Sequence, residues 1–455
     1  MFRKPVSLTK KTVSEYNSFR ESSDCKYICH APFTNLYLGY EGKIGVCCYN
    51  RIDILGIYPA VSLKEAWIGK SRKNLIHKIK RVDLFPGCQP CKEQWEEKAY
   101  KTVLARNYDH LNPDSKYPRY MQFELSNRCN LECIMCSYEN SSAIARTKHN
   151  ISERLYPYDD NFINELEEFI PYLESANFLG GEPFLIPIYY KIWDAIIKIN
   201  PDCNIIVQTN GTVLNDKIKE LLNSGNYTVN VSIDSLVKNN FEQIRKNAAF
   251  EVAYNNLLYF IGFCRDKNRF SGISVCFMKQ NWRDIPQLIN FCNTNKVFIT
   301  FNRVWYPSKC SIWESSMELI NEILLFYQSQ SFPKNNDIER ANSLAFNDLV
   351  NLLKCWKEKE KIKESDRQGY ADKKTDELEK IIINGILLSS LLTIRQNDKE
   401  ILRRMDSIFR DNCKKPLYRK LLLKIIETPE EMIGSWFLNY SLEKIQQHID
   451  EDFDK

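Results

Sequence analysis

The sequence predicts an α/β fold in which six strand–helix units over residues 118–306 follow a small cysteine-rich hairpin module and precede a helical C-terminal region. Three observations carry this expectation. Short β-branched or aromatic runs alternate with longer runs of helical period between Arg119 and Tyr306. Sixteen cysteines are unevenly placed, ten of them mostly in clusters. Beyond Pro307 the pattern is helical throughout.

In chain order, residues 1–24 read as a polar arm and 25–100 as the hairpin module. Within that module residues 35–40 (NLYLGY), the turn Glu41-Gly42-Lys43 and residues 44–48 (IGVCC) form a hairpin that presents thiols at its end. Residues 97–108 read as a connecting helix, 101–117 as a linker, and the turn-rich NPDSKYP at 112–118 as a hinge. The strands are then 119–126 (RYMQFELS), 176–179, 204–209, 228–233, 273–278 and 297–304. Helices are expected at 162–173, 186–199, 213–222, 241–264 and 285–292. In the helical region, 317–327, 344–363, 381–394 and 418–426 carry the apolar period, and the lysine-rich run 357–363 reads as a solvated face.

Composition narrows the function classes. An apolar content of 44% supports substantial cores, and 63 Lys plus Arg against 58 Asp plus Glu leave only +5, with no block suited to a polyanion. No nucleic-acid partner is expected. The opening residues lack an apolar run after their basic ones, and residues 381–394 fall short of the ~20 apolar residues of a membrane span. A cytoplasmic protein without a membrane partner is the expectation. There, clustered cysteines point to metal rather than to disulfides. Cys203, Cys264, Cys276, Cys292, Cys355 and Cys413 stand singly and read as packing thiols.

The sharpest motif is Cys129-Asn-Leu-Glu-Cys133-Ile-Met-Cys136, a C-x3-C-x2-C loop directly after the first strand. A structural zinc would want four ligands in a closed tetrahedron, and His110 and His149 lie outside the loop. Three thiolates suit a 4Fe-4S cube with one iron left open. One strand later comes Gly180-Gly181-Glu182-Pro183; Thr209-Asn210-Gly211 follows the third strand, and Val231-Ser232-Ile233-Asp234-Ser235 the fourth, with Arg245 beyond. In a parallel barrel all these loops share the ligand-binding face.

On these motifs the chain resembles the radical S-adenosylmethionine (radical SAM) family, whose fold is a partial (β/α)6 barrel of TIM type. The resemblance implies that Cys129, Cys133 and Cys136 hold a 4Fe-4S cluster whose open iron binds SAM. An electron then cleaves SAM to methionine and a 5'-deoxyadenosyl radical. It further implies that Gly180, Gly181, Glu182 and Pro183 receive the SAM ammonium, that Asn210 lies beside the ribose, and that Ser232, Asp234 and Arg245 serve the carboxylate and ribose. Met135 departs from the aromatic residue common before the last cysteine.

Cys29, Gly42, Cys47, Cys48, residues 63–67 (LKEAW), Arg72 and Cys88-x2-Cys91 resemble a SPASM/twitch module placed, unusually, before the barrel. That implies one auxiliary 4Fe-4S cluster on Cys29, Cys88, Cys91 and either Cys47 or Cys48. A zinc ribbon is the competing reading. Cys25 and Cys310 read as ordinary thiols, with extra ligation as the alternative. Members of this kind mostly act on peptides, so the expected function is oxidative modification, for example cross-linking, of a ribosomal precursor peptide. Flavodoxin or ferredoxin would supply electrons, and the C-terminal helices would act as a lid. The alternatives are dehydrogenation or epimerisation of a sugar or amino alcohol, and a non-catalytic zinc or iron–sulfur protein.

Overall fold

A computed structural model describes residues 8–20, 25–84, 87–152, 156–370, 372–390, 398–414, 418–427, 442, 445 and 446. Its centre is one sheet of nine strands: β1 (Asn35–Leu38), β2 (Lys43–Gly45), β3 (Gly56–Ile57), β4 (Tyr120–Phe123), β5 (Ser175–Phe178), β6 (Asn204–Thr209), β7 (Tyr227–Ser232), β8 (Gly272–Phe277) and β9 (Phe298–Arg303). Their order is β3-β2-β1-β4-β5-β6-β7-β8-β9, and every neighbouring pair from β4 to β9 is parallel. This is the partial (β/α)6 barrel that the family resemblance implies, built from the expected strand–helix units.

The cysteine-rich hairpin is continuous with that sheet. β1 runs parallel to β4, pairing Asn35 with Tyr120 and Leu38 with Phe123, while β2 and β3 add antiparallel edges. Sequence periodicity could not show this, because the pairing joins segments about 85 residues apart. The polar face of β1 commits it: buried Asn35 donates to the Gln122 side chain at 3.0 Å, and the Tyr108 hydroxyl donates to the same oxygen at 3.0 Å.

From β5 to β9 the strands alternate strictly. Ala176, Phe178, Ile205, Val207, Val229, Val231, Ile273, Val275, Ile299 and Phe301 are buried on the helix-facing side. Each of the Val, Ile and Phe side chains contributes roughly 1.5–3 kcal/mol by leaving water, which fixes the register because a one-residue slip would expose the whole set. The opposite face carries Asn177, Gln208, Asn230, Ser232, Ser274, Thr300 and Asn302, all at least partly accessible, with Ile206, Cys276 and Phe298 among them. Closed barrels fill this space with branched apolar side chains. Here the lumen is polar and open.

Element ends differ from the expectations for local reasons. The expected helix at 241–264 is two, Lys238–Ile244 and Phe250–Asp266, separated at Asn247 with φ 73°. The expected connecting helix at 97–108 is only the 3-10 turn Leu104–Tyr108, since the preceding helix Gln89–Glu96 ends before Lys98 at φ 57°. Arg72 and Trp67 of the module make a structural clamp: the guanidinium lies 3.4 Å from the indole centroid and donates to the Pro32 and Trp67 carbonyls.

In the C-terminal region one helix, Asp337–Tyr370, packs along the outer edge of β9. Its Asn342 accepts from the Ile299 N–H at 2.9 Å and donates to the Val297 carbonyl at 3.0 Å, so a side chain stands where a further strand would pair. The lysine-rich run is not wholly solvated, because Lys359 binds Glu97 at 3.2 Å and lies over Trp313, while Glu360 is buried. The apolar run 381–394 is helical through Ser390, in Thr375–Ser390, and its last four residues lie outside the described ones. Much of the polar arm, residues 1–7 and 21–24, lies outside them as well. No helix among the described residues is long and apolar enough to cross a membrane.

Candidate functional site

The C-x3-C-x2-C loop leaves the carboxyl end of β4 and is folded by its own polar residues. The Ser126 hydroxyl accepts from the Arg128 N–H, Asn127 donates to the Tyr138 carbonyl, the Ser142 hydroxyl accepts from the Cys129 N–H at 3.1 Å, and the Ser141 hydroxyl donates to the Leu131 carbonyl at 2.7 Å. These bonds place Cys129, Cys133 and Cys136 within electrostatic reach of one another. Burial pushes all three thiols up, Cys129 to about 12. The Cys129 sulfur accepts from the Leu131 N–H at 3.5 Å and lies 3.9 Å from the Asn210 amide nitrogen. Amide donors aimed at sulfur suit a thiolate ligand, so the loop fits an iron–sulfur cluster.

The Gly180-Gly181-Glu182-Pro183 loop lies directly against that loop. Gly181 N–H donates to the Ser126 carbonyl at 3.0 Å and Glu182 N–H to the Arg128 carbonyl at 2.7 Å. Gly180 has φ +99°, and a Cβ there would stand 2.6 Å from the Ser126 oxygen; a Cβ on Gly181 would collide with the Arg128 carbonyl. Only glycine permits this approach. Glu182 is fully buried and accepts from the Thr209 hydroxyl and the Asn210 N–H, both at 2.7 Å, and from the Phe184 N–H at 3.3 Å. Burial pushes its carboxyl up to about 7 despite these neutral donors. A cation beside it would lower that value.

Other expected residues are placed as follows. Buried Pro183 opens a 3-10 turn at the base of the loop. Asn210 donates to the Asn130 side chain at 3.0 Å, joining the third-strand loop to the cysteine loop. The Ser232 hydroxyl accepts from Gln208 at 2.9 Å on the lumen wall. Asp234 and Arg245 form a buried ion pair, Nε to Oδ2 2.8 Å. Cys310 is buried and directs its thiol to the Ile134 carbonyl at 3.6 Å, and Cys25 sits 4.0 Å from the Asp109 carbonyl. Cys276, expected to be a packing thiol, lies in the apolar group of Ile134, Met135 and Met278, yet within electrostatic reach of Cys133 and Cys136. Single-residue reasoning had no signal for that proximity.

The second cysteine set lines an enclosed cavity in the hairpin module with Ile79, Leu84, Trp95 and Tyr108. Cys29, Cys47 and the Cys88–Cys91 pair meet there from three segments of chain. Burial pushes all four thiols up, Cys29 to about 12. Three sulfurs already face nitrogen donors: Ala31 N–H to Cys29 at 3.4 Å, Asn50 N–H to Cys47 at 3.4 Å, and the Asn50 amide to Cys88 at 3.5 Å. The neighbour Cys48 is not on this cavity and lies toward Glu124 and Arg51. Among the described residues, no three His, Cys, Asp or Glu side chains converge on the position of a single ion.

Between the two cysteine sets the lumen wall carries Glu124, which accepts from the Tyr37 hydroxyl and from Arg51 at 2.8 Å. Tyr49 is 38% exposed, yet desolvation pushes its phenol up, the combination expected on the wall of a concavity. The alternation of polar with apolar residues along β5–β9 was the sequence signal for this lumen.

The fold and site thus define a partial barrel whose open end gathers a three-cysteine loop and a glycine-lined acidic loop. Residues 123–292 match the Radical SAM superfamily, a family that uses a 4Fe-4S cluster and SAM. A GTP 3',8-cyclase of Clostridium perfringens is 28% identical over 191 residues, 41% of this chain and 56% of that protein. An uncharacterized protein of Methanocaldococcus jannaschii is 31% identical over 132 residues, 28% of this chain and 43% of that one. The chain spans about half the length of the curated relatives it matches. Among solved structures, Streptococcus suis SuiB bound to the precursor peptide SuiA is similar at 14% identity and a TM-score of 0.35, covering 57% of this chain and 58% of that one. The anSMEcpe structure with bound AdoMet is similar at 16% identity and a TM-score of 0.35, covering 46% and 60%.

Proposed function

We propose that this chain cleaves SAM reductively and uses the resulting radical to modify a ribosomal precursor peptide oxidatively, for example by cross-linking. One observation carries the reading: two distinct cysteine sets, of three and of four, stand on one continuous sheet with a polar lumen between them. When bound, a cluster on Cys129, Cys133 and Cys136 would supply the electron that breaks SAM, and one on Cys29, Cys47, Cys88 and Cys91 would accept the electron left on the substrate. Flavodoxin or ferredoxin would deliver the electrons.

The chain's own residues have defined tasks in this reading. Glu182, buried and in no ion pair among the described residues, would receive the SAM ammonium, and Gly180 and Gly181 let that loop reach the cysteine loop. Asn210 would bond the ribose. The lumen residues Asn177, Gln208, Asn230, Ser274, Thr300 and Asn302 are neutral hydrogen-bonding groups suited to peptide amides. They offer no charge to a triphosphate, and the nearby Arg51 and Arg303 are each already paired with a carboxylate. That argues against transferring a GTP substrate from the cyclases.

The same neutral wall favours a second reading, dehydrogenation or epimerisation of a polyhydroxylated small molecule. Anaerobic incubation with SAM, reductant and candidate peptides decides between them. Formation of 5'-deoxyadenosine with a peptide mass loss of two hydrogens supports the first; turnover on sugars and not on peptides supports the second. Colourless, zinc-loaded protein unable to cleave SAM would defeat both.

A further inference from the structure

Asp234 and Arg245 were expected at the SAM carboxylate and ribose, but their surroundings suit another task. Asp234 is wholly buried, and the Arg245 side chain is 7% exposed. The Asp234 carboxylate accepts from the Cys276 N–H at 2.7 Å, and its carbonyl accepts from the Asn281 side chain at 2.9 Å. The acid is therefore fixed to β8 and to the loop after it. Arg245 is held against the cysteine loop by backbone. Glu132 N–H donates to the Lys246 carbonyl at 3.0 Å and Ile134 N–H to the Ile244 carbonyl at 2.9 Å, so the two bonds bracket Cys133 on one side and Arg245 on the other. Asn247 adds a third tie, donating to Glu132 at 3.0 Å. Across this junction the buried guanidinium lies within electrostatic reach of the Cys133 side chain.

We propose that Arg245 is a positioning residue, its guanidinium held by Asp234 beside Cys133, and that this buried pair sets the reduction potential of the cluster on Cys129, Cys133 and Cys136. The proposal rests on the proposed function in requiring iron on those thiols. Its physics is general. Reduction adds a negative charge to the cluster, and a fixed cation or an N–H···S bond stabilises the reduced state and raises the potential. Arginine suits the task because it keeps its charge when buried. Asp234 orients the guanidinium and cancels part of its field.

The test is an EPR-monitored redox titration of the anaerobically reconstituted full-length protein without SAM. The signal is assigned to this cluster by its loss in Cys133→Ala, and SAM affinity is measured in parallel by equilibrium dialysis. Arg245→Gln should move the midpoint to a more negative potential with iron content unchanged, and Arg245→Lys should move it less. Asp234→Asn should move it the opposite way, since it removes a negative charge and leaves the guanidinium. A midpoint unmoved in Arg245→Gln while SAM affinity falls would return Arg245 to the SAM carboxylate and overturn the proposal. If Arg245→Gln loses its iron, the opposed signs of Arg245→Lys and Asp234→Asn decide, and shifts of the same sign overturn it. A wild-type protein without this cluster signal would instead defeat the proposed function.

Discussion

Glu97 is the junction of three parts of the molecule, and Glu97→Gln measures what that junction contributes. The residue follows the helix that carries Cys91, accepts from Arg303 at the end of β9, and binds Lys359 of the long C-terminal helix at 3.2 Å. Its side chain is 2% exposed, that of Arg303 11% and that of Lys359 41%. Lys359 can turn into water, so its share of the loss is below about 1 kcal/mol. Arg303 cannot, and stranding one partner of a buried pair costs about 3–5 kcal/mol. The lower end applies because the Asp348 carboxylate also lies in the field of Arg303. At roughly 2 °C per kcal/mol for a large domain, a loss of about 3 kcal/mol lowers Tm by about 6 °C. Anaerobic thermal unfolding followed by circular dichroism should show this, and the double variant Glu97→Gln/Arg303→Met should recover most of it, because no charge is then left buried alone. A single-variant shift below about 2 °C, or a double variant as unstable as the two losses added, would refute the reasoning.

Cys47→Ala should remove the iron of the hairpin module, about half of the total if both sets hold a cube, whereas Cys48→Ala should leave iron content unchanged; colorimetric iron analysis reads both. Gly181→Ala should abolish SAM binding in equilibrium dialysis while the three-cysteine cluster still assembles, because its Cβ meets backbone that cannot yield. Asn342→Leu should lower Tm by the equivalent of about 1–3 kcal/mol, leaving the Ile299 N–H and the Val297 carbonyl without their partner. Asp348→Asn should stabilise the fold above pH 6 and have little effect near pH 4. Burial raises the Asp348 carboxyl from 3.8 to about 6, so the folded state loses stability as pH rises through that window. The gain, of the order of 1–3 kcal/mol, appears as a pH-dependent Tm difference.

Much of the barrel was legible because its chemistry is local and periodic. β6 falls at the expected residues, and the remaining barrel strands within one to three residues, since each is an apolar alternation, and β5, β6 and β7 run into Gly180, Asn210 and Asp234. The three-cysteine loop and the Gly180–Gly181 loop were legible because spacing along one chain segment fixes them. What sequence could not give is convergence between distant segments. The pairing of β1 with β4, the approach of Cys276 to Cys133, and the choice of Cys47 over Cys48 for the cavity all depend on which faces meet after folding. Asp234 and Arg245 illustrate the limit: two charged residues after a strand suit ligand contacts as well as each other, and only the burial of both shows that they are paired.

The polar lumen and the shared sheet together bear on how a radical could be managed here. An ordinary barrel interior would gain stability from apolar filling, and from β5 to β9 this chain instead gives most of the inner face to amides and hydroxyls. That arrangement sacrifices burial on one side of the sheet for room and hydrogen bonds, and the apolar helix-facing side has to compensate. Because β1 is hydrogen-bonded into the same sheet, the four-cysteine cavity keeps a fixed position relative to the three-cysteine loop after β4. A separate, flexibly tethered module would have to dock anew in each cycle before it could accept an electron. The parallel pairing of Asn35–Leu38 with Tyr120–Phe123 removes that requirement, so the continuity of the sheet is itself a functional feature in the proposed chemistry.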